Sequence, residues 1–173
     1  MNIMIRKNLL LILAVLAIGC NDDESTPTVP GQTITSEADL YAIGKDPAGF
    51  IFYKHSTDTI AKGSGSGHPD PQLRTRYNSV AARMLDGDGK VMMGAVFPDS
   101  SLIVKELYTN NLLTTYVFMY KRPGDKNADA NGWVWAETFT SGAPLYAASN
   151  RGSGCINCHS IGIDYTRMND THP

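Results

Sequence analysis

Apolar residues recur along this chain with two periods, and the shorter one governs the stretch from 100 to 140. In residues 102–108, strict alternation puts Ile103, Lys105 and Leu107 on one side of an extended strand, and Leu102, Val104, Glu106 and Tyr108 on the other. Each side is apolar with a single charge set into it, an unusual pattern for a strand with one face in water. Asn110-Asn111 supplies residues that tolerate the positive φ angles of a tight hairpin turn. The return strand, 113–121, shows Tyr116, Phe118 and Tyr120 to one side and Val117 and Met119 to the other. A further strand is predicted over 133–139, with Trp133 and Trp135 on one face and Val134 and Ala136 on the other.

Upstream the signals are shorter and mixed. Ser36 before Glu37-Ala38-Asp39-Leu40 reads as an N-cap and first helical turn, and Gly44 and Pro47 end that helix. Residues 50–53 are β-prone. Residues 73–77 read as a strand feeding a helix capped by Asn78, with Val80, Ala81, Met84 and Leu85 along one face. Asp86-Gly87-Asp88-Gly89 is a turn, since no Glu follows at the spacing of a calcium hand. The polar stretch 57–71 is rich in Gly and Ser but lacks the Gly-Lys-Ser/Thr ending of a phosphate loop. Residues 97–101 read as a turn, 123–132 and 141–154 as loops. The pattern predicts an α+β fold: a mainly antiparallel β-sheet with a few short helices, the last of them C-terminal and bearing the motif described below.

The N-terminal segment has a different character. Arg6 and Lys7 precede an unbroken apolar run, 9–18, which is too short for a membrane-spanning helix of about 20 residues. Leu16-Ala17-Ile18-Gly19-Cys20 follows the bacterial lipobox, with Ala17 where that signal usually has Leu. Residues 1–19 are therefore expected to be a lipoprotein signal peptide and Cys20 the lipid-bearing residue. Residues 20–35, acidic and then rich in Ser, Thr, Pro and Gly, read as a flexible tether. Residues 36–173 form the folded domain. This places the domain in the cell envelope, anchored to a bacterial membrane and facing the periplasm or cell surface.

Composition narrows the class. With 173 residues, 42% hydrophobic, the chain is long enough for one domain with a real core. A net charge of -2 without a basic stripe argues against nucleic acid as a partner.

The most specific chemistry is Cys155-Ile156-Asn157-Cys158-His159, the attachment signature of c-type haem. Two thiols add to the two haem vinyl groups, and the adjacent imidazole reaches the iron from the proximal side. A redox dithiol would call for a βαβ context, and a zinc site for a second Cys pair; neither is present in the sequence. Cysteine usage agrees, since of three Cys two belong to haem and lipidation takes the third. The expected cofactor is one covalent haem c. Gly152 and Gly154 are expected to let the backbone pass close to the macrocycle. The chain runs only 14 residues past His159, so a sixth iron ligand comes from upstream or the position stays open. Upstream candidates are Lys105, Met84, Met92, Met93, Met119, His55 and His68.

A β-rich domain containing Phe97-Pro98-Asp99-Ser100-Ser101-Leu102-Ile103-Val104-Lys105-Glu106, then Gly132-Trp133, then a C-terminal Cys-x-x-Cys-His resembles the cytochrome P-460 family and its beta-type cytochrome c-prime relatives. The resemblance covers roughly residues 37–165. It implies a mainly antiparallel sheet, often dimeric, and five-coordinate haem iron with His159 proximal. In the P-460 branch a lysine is joined covalently to the haem ring and hydroxylamine is oxidised; Lys105 falls on that position. In the other branch an apolar distal cap faces the iron, and the site binds nitric oxide or carbon monoxide. The P-460 branch has a distal carboxylate on the strand matching 116–121, which here contains no Asp or Glu. The expectation is an open distal site that binds or redox-transforms small nitrogen species such as nitric oxide or hydroxylamine, with an unidentified redox partner. The alternative is a six-coordinate electron carrier.

Two further residues are singled out. Arg74 and Arg76 share a strand face, and Arg74 is expected to hold a haem propionate or line the distal site, against solvent-facing arginines at a sheet edge. Lys105 has three fates: reaching solvent, pairing with an acid or propionate, or losing its proton near the haem and becoming a nucleophile.

Overall fold

The computed structural model describes residue 34 and residues 36–167. The signal peptide, Cys20, the tether apart from Ile34, and residues 168–173 lie outside the described residues; Ile34 itself is buried. The architecture is an α+β fold built on one seven-stranded antiparallel sheet: β1 (Ile51–Phe52), β2 (Ile60–Ala61), β3 (Gln72–Tyr77), β4 (Leu102–Thr109), β5 (Leu112–Lys121), β6 (Trp133–Phe139) and β7 (Pro144–Tyr146). The order is β1-β3-β4-β5-β6-β7, and β2 pairs with the other half of β3's outer edge.

The predicted strands form for the predicted reasons. Asn110 and Asn111 adopt φ of 52° and 62° at the β4–β5 hairpin, where mirror-image turn geometry matches the strand twist. The alternation sorts β4, β5 and β6 into two buried faces. One cluster gathers Leu73, Tyr77, Ile103, Leu107, Val117, Met119, Trp133 and Trp135. The other gathers Leu40, Leu102, Val104, Tyr116, Phe118, Tyr120, Val134 and Ala136. Each fully buried Leu or Phe contributes about 1.5–3 kcal/mol, so a sheet covered on both sides carries most of the stability.

Helix α1 (Glu37–Gly44) covers the second face. Its N-terminus is a capping box: Ser36 Oγ accepts from Asp39 N at 3.3 Å, and Asp39 Oδ2 accepts from Ser36 N at 3.1 Å. At its other end a Cβ on Gly44 would lie 2.5 Å from Phe118 Cε1, so only glycine lets the helix approach the sheet there.

Three local expectations change in the structure. The helix after Asn78 is a short 3-10 turn, Ala81–Met84. Asn78 Oδ1 caps it but also accepts from Leu102 N, at 2.9 and 3.0 Å. The loop 57–71 contains β2, and the loop 141–154 contains β7 and a 3-10 turn, Ala148–Asn150. β2 and β7, two and three residues long, exist through pairing with β3 and β6, which no local pattern encodes. Helix α2 (Ile156–His159) is the last helix among the described residues. Among the described residues no helix is long and apolar enough to cross a membrane.

Candidate functional site

Helix α2 is a single turn, and Cys155 is its N-cap. Residues three apart lie on one side of a helical turn, so Cys155 and Cys158 occupy neighbouring positions with His159 directly after. No disulfide joins the two thiols. Cys155 is half-buried and Cys158 exposed. Burial, with Glu137 adding to it, pushes the Cys155 thiol up to about 11. The turn is seated by its neighbours. Gly152, at φ 72°, passes so close to Trp135 that a Cβ would lie 2.5 Å from the indole Cδ1. Tyr146 Oη accepts from Gly154 N at 3.2 Å.

His159 is held on two sides. Its Nδ1 donates to the carbonyl of Tyr165 at 2.8 Å; a carbonyl only accepts, so Nδ1 carries the proton. In a neutral ring the in-plane lone pair then lies on Nε2, the arrangement usual for a metal-ligating imidazole. Trp135 packs against the imidazole with ring centroids 4.9 Å apart and planes at 77°. The indole is fixed in turn by Asp129, whose Oδ2 accepts from Trp135 Nε1 at 2.9 Å.

A small cavity lies between the motif and the sheet. His68, Thr75, Ile103, Lys105, Val117, Met119, His159, Thr166 and Arg167 line it. Lys105 and the motif histidine, far apart in sequence, thus face one space. The wall on the sheet side is mostly apolar. Lys105 is 6% exposed, and burial pushes its ammonium down to about 8, with Arg167 adding to the fall and Glu137 opposing it. The Glu137 carboxyl is raised by burial, and Lys105 counters that rise.

Of the sixth-ligand candidates, Lys105, Met119 and His68 come to this cavity. Met92 and Met93 are exposed, His55 is exposed with Nε2 3.3 Å from the Gly87 carbonyl, and Met84 packs at the margin of the core. The stretch 63–68 lies against the motif: a Cβ on Gly67 would be 4.0 Å from Cys158 Sγ, and one on Gly65 3.5 Å from Arg167 Nη2. Arg167 Nη1 also donates to the Cys158 carbonyl at 2.9 Å.

The structure does not bring Arg74 to this cavity. Strand alternation places Thr75 there, and Arg74 faces the opposite side of the sheet with Arg76 and Glu106. Arg74 Nε donates to Glu106 Oε2 at 2.6 Å and Nη1 to the Thr57 carbonyl at 2.9 Å. A distal or propionate contact from that face would have to cross the sheet.

Residues missed in sequence are Glu137, Arg167 and Thr166. β5 carries no carboxylate, and Glu137 stands on the next strand, in phase with Trp133 and Trp135. The period-two pattern of β6 already carried that signal. Arg167 and Thr166 had none, because they follow the last predicted element.

Among the described residues no three His, Cys, Asp or Glu side chains converge as a metal-ion ligand set. A haem iron needs no such set, since the ring supplies four donors and the protein an axial one. The two thiols, the Nδ1-protonated imidazole and the apolar wall are chemically suited to such a group. No protein-family model, curated protein or solved structure matches this chain.

Proposed function

We propose that this chain is an exported c-type haem protein related to the cytochrome P-460 and beta-type cytochrome c-prime family, with an open distal iron site for small nitrogen species. Cys20 carries the lipid that anchors it to a bacterial envelope membrane. Cys155 and Cys158 hold one haem through thioether bonds, and His159 Nε2 is the proximal donor. α2 is then the haem-attachment helix. The observation that carries this reading is that Lys105 and His159 line one small, largely apolar cavity, with Cys155 and Cys158 on the turn that bears His159.

When bound, the haem supplies an iron centre that binds nitric oxide or hydroxylamine and exchanges electrons with a redox partner. The residues do the rest. Ile103, Val117 and Met119 exclude water and favour small neutral ligands. Arg167 and His68 are the groups at the cavity suited to haem carboxylates, a role that Arg74 cannot fill from the other face. Lys105, buried with a depressed pKa, is able to stand neutral near pH 8 at the cavity wall, or else to pair with Glu137. The second reading, a six-coordinate electron carrier, is favoured by His68 and Met119 lining the same cavity.

Intact mass and reduced spectra with and without carbon monoxide test both. The parent is expected to carry one haem that survives acid–acetone extraction, and to lose it in the Cys155→Ala/Cys158→Ala double variant unless Lys105 is linked to the ring. A parent without haem would sink the reading. A large spectral response to carbon monoxide identifies the open site, whereas none identifies the carrier.

A further inference from the structure

The turn after the motif is strained and heavily held. Asp164 and Tyr165 both have positive φ, 44° and 65°, in a turn closed by Thr166 N donating to the Ile163 carbonyl at 2.8 Å. Left-handed backbone suits glycine; Asp tolerates it better than Tyr. Such a conformation persists only where surrounding contacts over-determine it. Here they do. The Asp164 carboxylate accepts from Phe97 N at 2.8 Å and from Lys121 Nζ at 3.0 and 3.1 Å. Its carbonyl accepts from Trp133 Nε1 at 3.0 Å. Lys121 and Asp164 are almost fully enclosed, with side chains 8% and 11% exposed, and Lys121 stands 4.7 Å over the Trp133 ring. One residue is thus tied to β5, β6 and the segment before β4. What the turn delivers is the Tyr165 carbonyl, 2.8 Å from His159 Nδ1.

We propose that Asp164 is a positioning residue for His159: the clamp on Asp164 fixes the strained turn so that the Tyr165 carbonyl holds the His159 proton on Nδ1 and keeps Nε2 as the donor. An imidazole free in solution prefers its proton on Nε2, and an acceptor at Nδ1 reverses that preference and strengthens Nε2 as a ligand. The functional consequence rests on the haem reading above; the positioning itself does not.

The test uses the full chain as parent, Asp164→Ala, Asp164→Gly and Asp164→Asn. Ala loses the clamp and disfavours the left-handed turn. Gly adopts the turn without strain but cannot make the clamp, which covers the case in which the Ala variant fails to fold. Asn keeps an acceptor for Phe97 N and tolerates the turn. Intact mass first establishes haem content. In haem-loaded protein, the iron–histidine stretching band of the ferrous form should fall in the Ala and Gly variants. The ferrous-to-ferric ratio at fixed potential should rise roughly tenfold, a shift of about 59 mV. Asp164→Asn should stay close to the parent. An unchanged band and potential in a folded, haem-loaded Ala or Gly variant overturns the proposal. If the parent carries no haem, the haem reading fails instead. The His159 ring nitrogens of the same four proteins are then compared by ¹⁵N NMR: Nδ1–H in the parent and Asn variant with mixed tautomers in Ala and Gly is expected, and Nε2–H in the parent overturns the positioning role.

Discussion

Lys105 and Glu106 are neighbours on β4, both buried, and their surroundings differ in kind because alternation sends them to opposite faces. Glu106 is closed in by donors. Arg74 Nε reaches it at 2.6 Å, Arg76 Nη2 at 3.0 Å and Tyr108 Oη at 2.9 Å. Arg76 also donates to the carbonyls of Gly44 and, at 2.8 Å, Asp46, so the cation caps the C-terminal end of α1. Arg74, Arg76 and Glu106 each have a hydrogen-bonded use within the fold. Lys105 faces a cavity instead. Among the described residues it makes no hydrogen bond or salt bridge, and Glu137 and Arg167 act on it at longer range. A buried charge with a full set of partners is accounted for by structure. One that faces a small cavity shared with the motif imidazole is a candidate for chemistry.

The comparison is broken most severely at Glu106. Glu106→Ala leaves two arginines, one of them fully buried, without their carboxylate. It is expected to lose about 3–5 kcal/mol of stability in urea unfolding, because an uncompensated buried charge remains. In haem-loaded protein, the optical spectrum and carbon monoxide response of the folded fraction should not change. A loss below 1 kcal/mol on that scale would mean that the two faces do not differ as described.

Lys105→Met should act in the opposite direction. The folded pKa of Lys105, about 8, lies below the ordinary 10.5, so the unfolded chain holds its proton more tightly. The penalty is complete below pH 8 and disappears as pH rises from 8 to 10.5. In chain without a Lys105–haem link, the variant is expected to be more stable than the parent by about 3 kcal/mol at pH 7, with the gap closing above pH 8. Melting curves across that range check the sign. A parent with a link would show instead a red-shifted haem band that the variant lacks.

The smallest effect belongs to Arg74, whose side chain is 24% exposed and lies between the Phe52 and Tyr108 rings. Arg74→Ala should cost about 1 kcal/mol, since Arg76 and Tyr108 still hold Glu106. In haem-loaded protein, the reduction potential should remain that of the parent. A shifted potential would place Arg74 in contact with the cofactor after all.

What the sequence determined by itself was local. The Ser36 cap, the Asn110-Asn111 turn, the strands over β3, β4, β5 and β6 and the sorting of their side chains follow from stereochemistry within a few residues, and all appear in the fold. The Cys155–His159 motif is equally local. Alternation, however, only says which residues of a strand share a face. It does not say which face meets the C-terminal segment. That depends on the path of the chain around the sheet, and the path sends α2 to the side of Lys105, Thr75 and Glu137 and α1 to the side of Arg74, Arg76 and Glu106. The short strands β2 and β7 and the Tyr165 carbonyl at His159 are decisions of the same kind. β2 and β7 form only by pairing with β3 and β6, and the turn that carries the Tyr165 carbonyl is held through Asp164 by Phe97, Lys121 and Trp133, so the assembled tertiary structure carries that information.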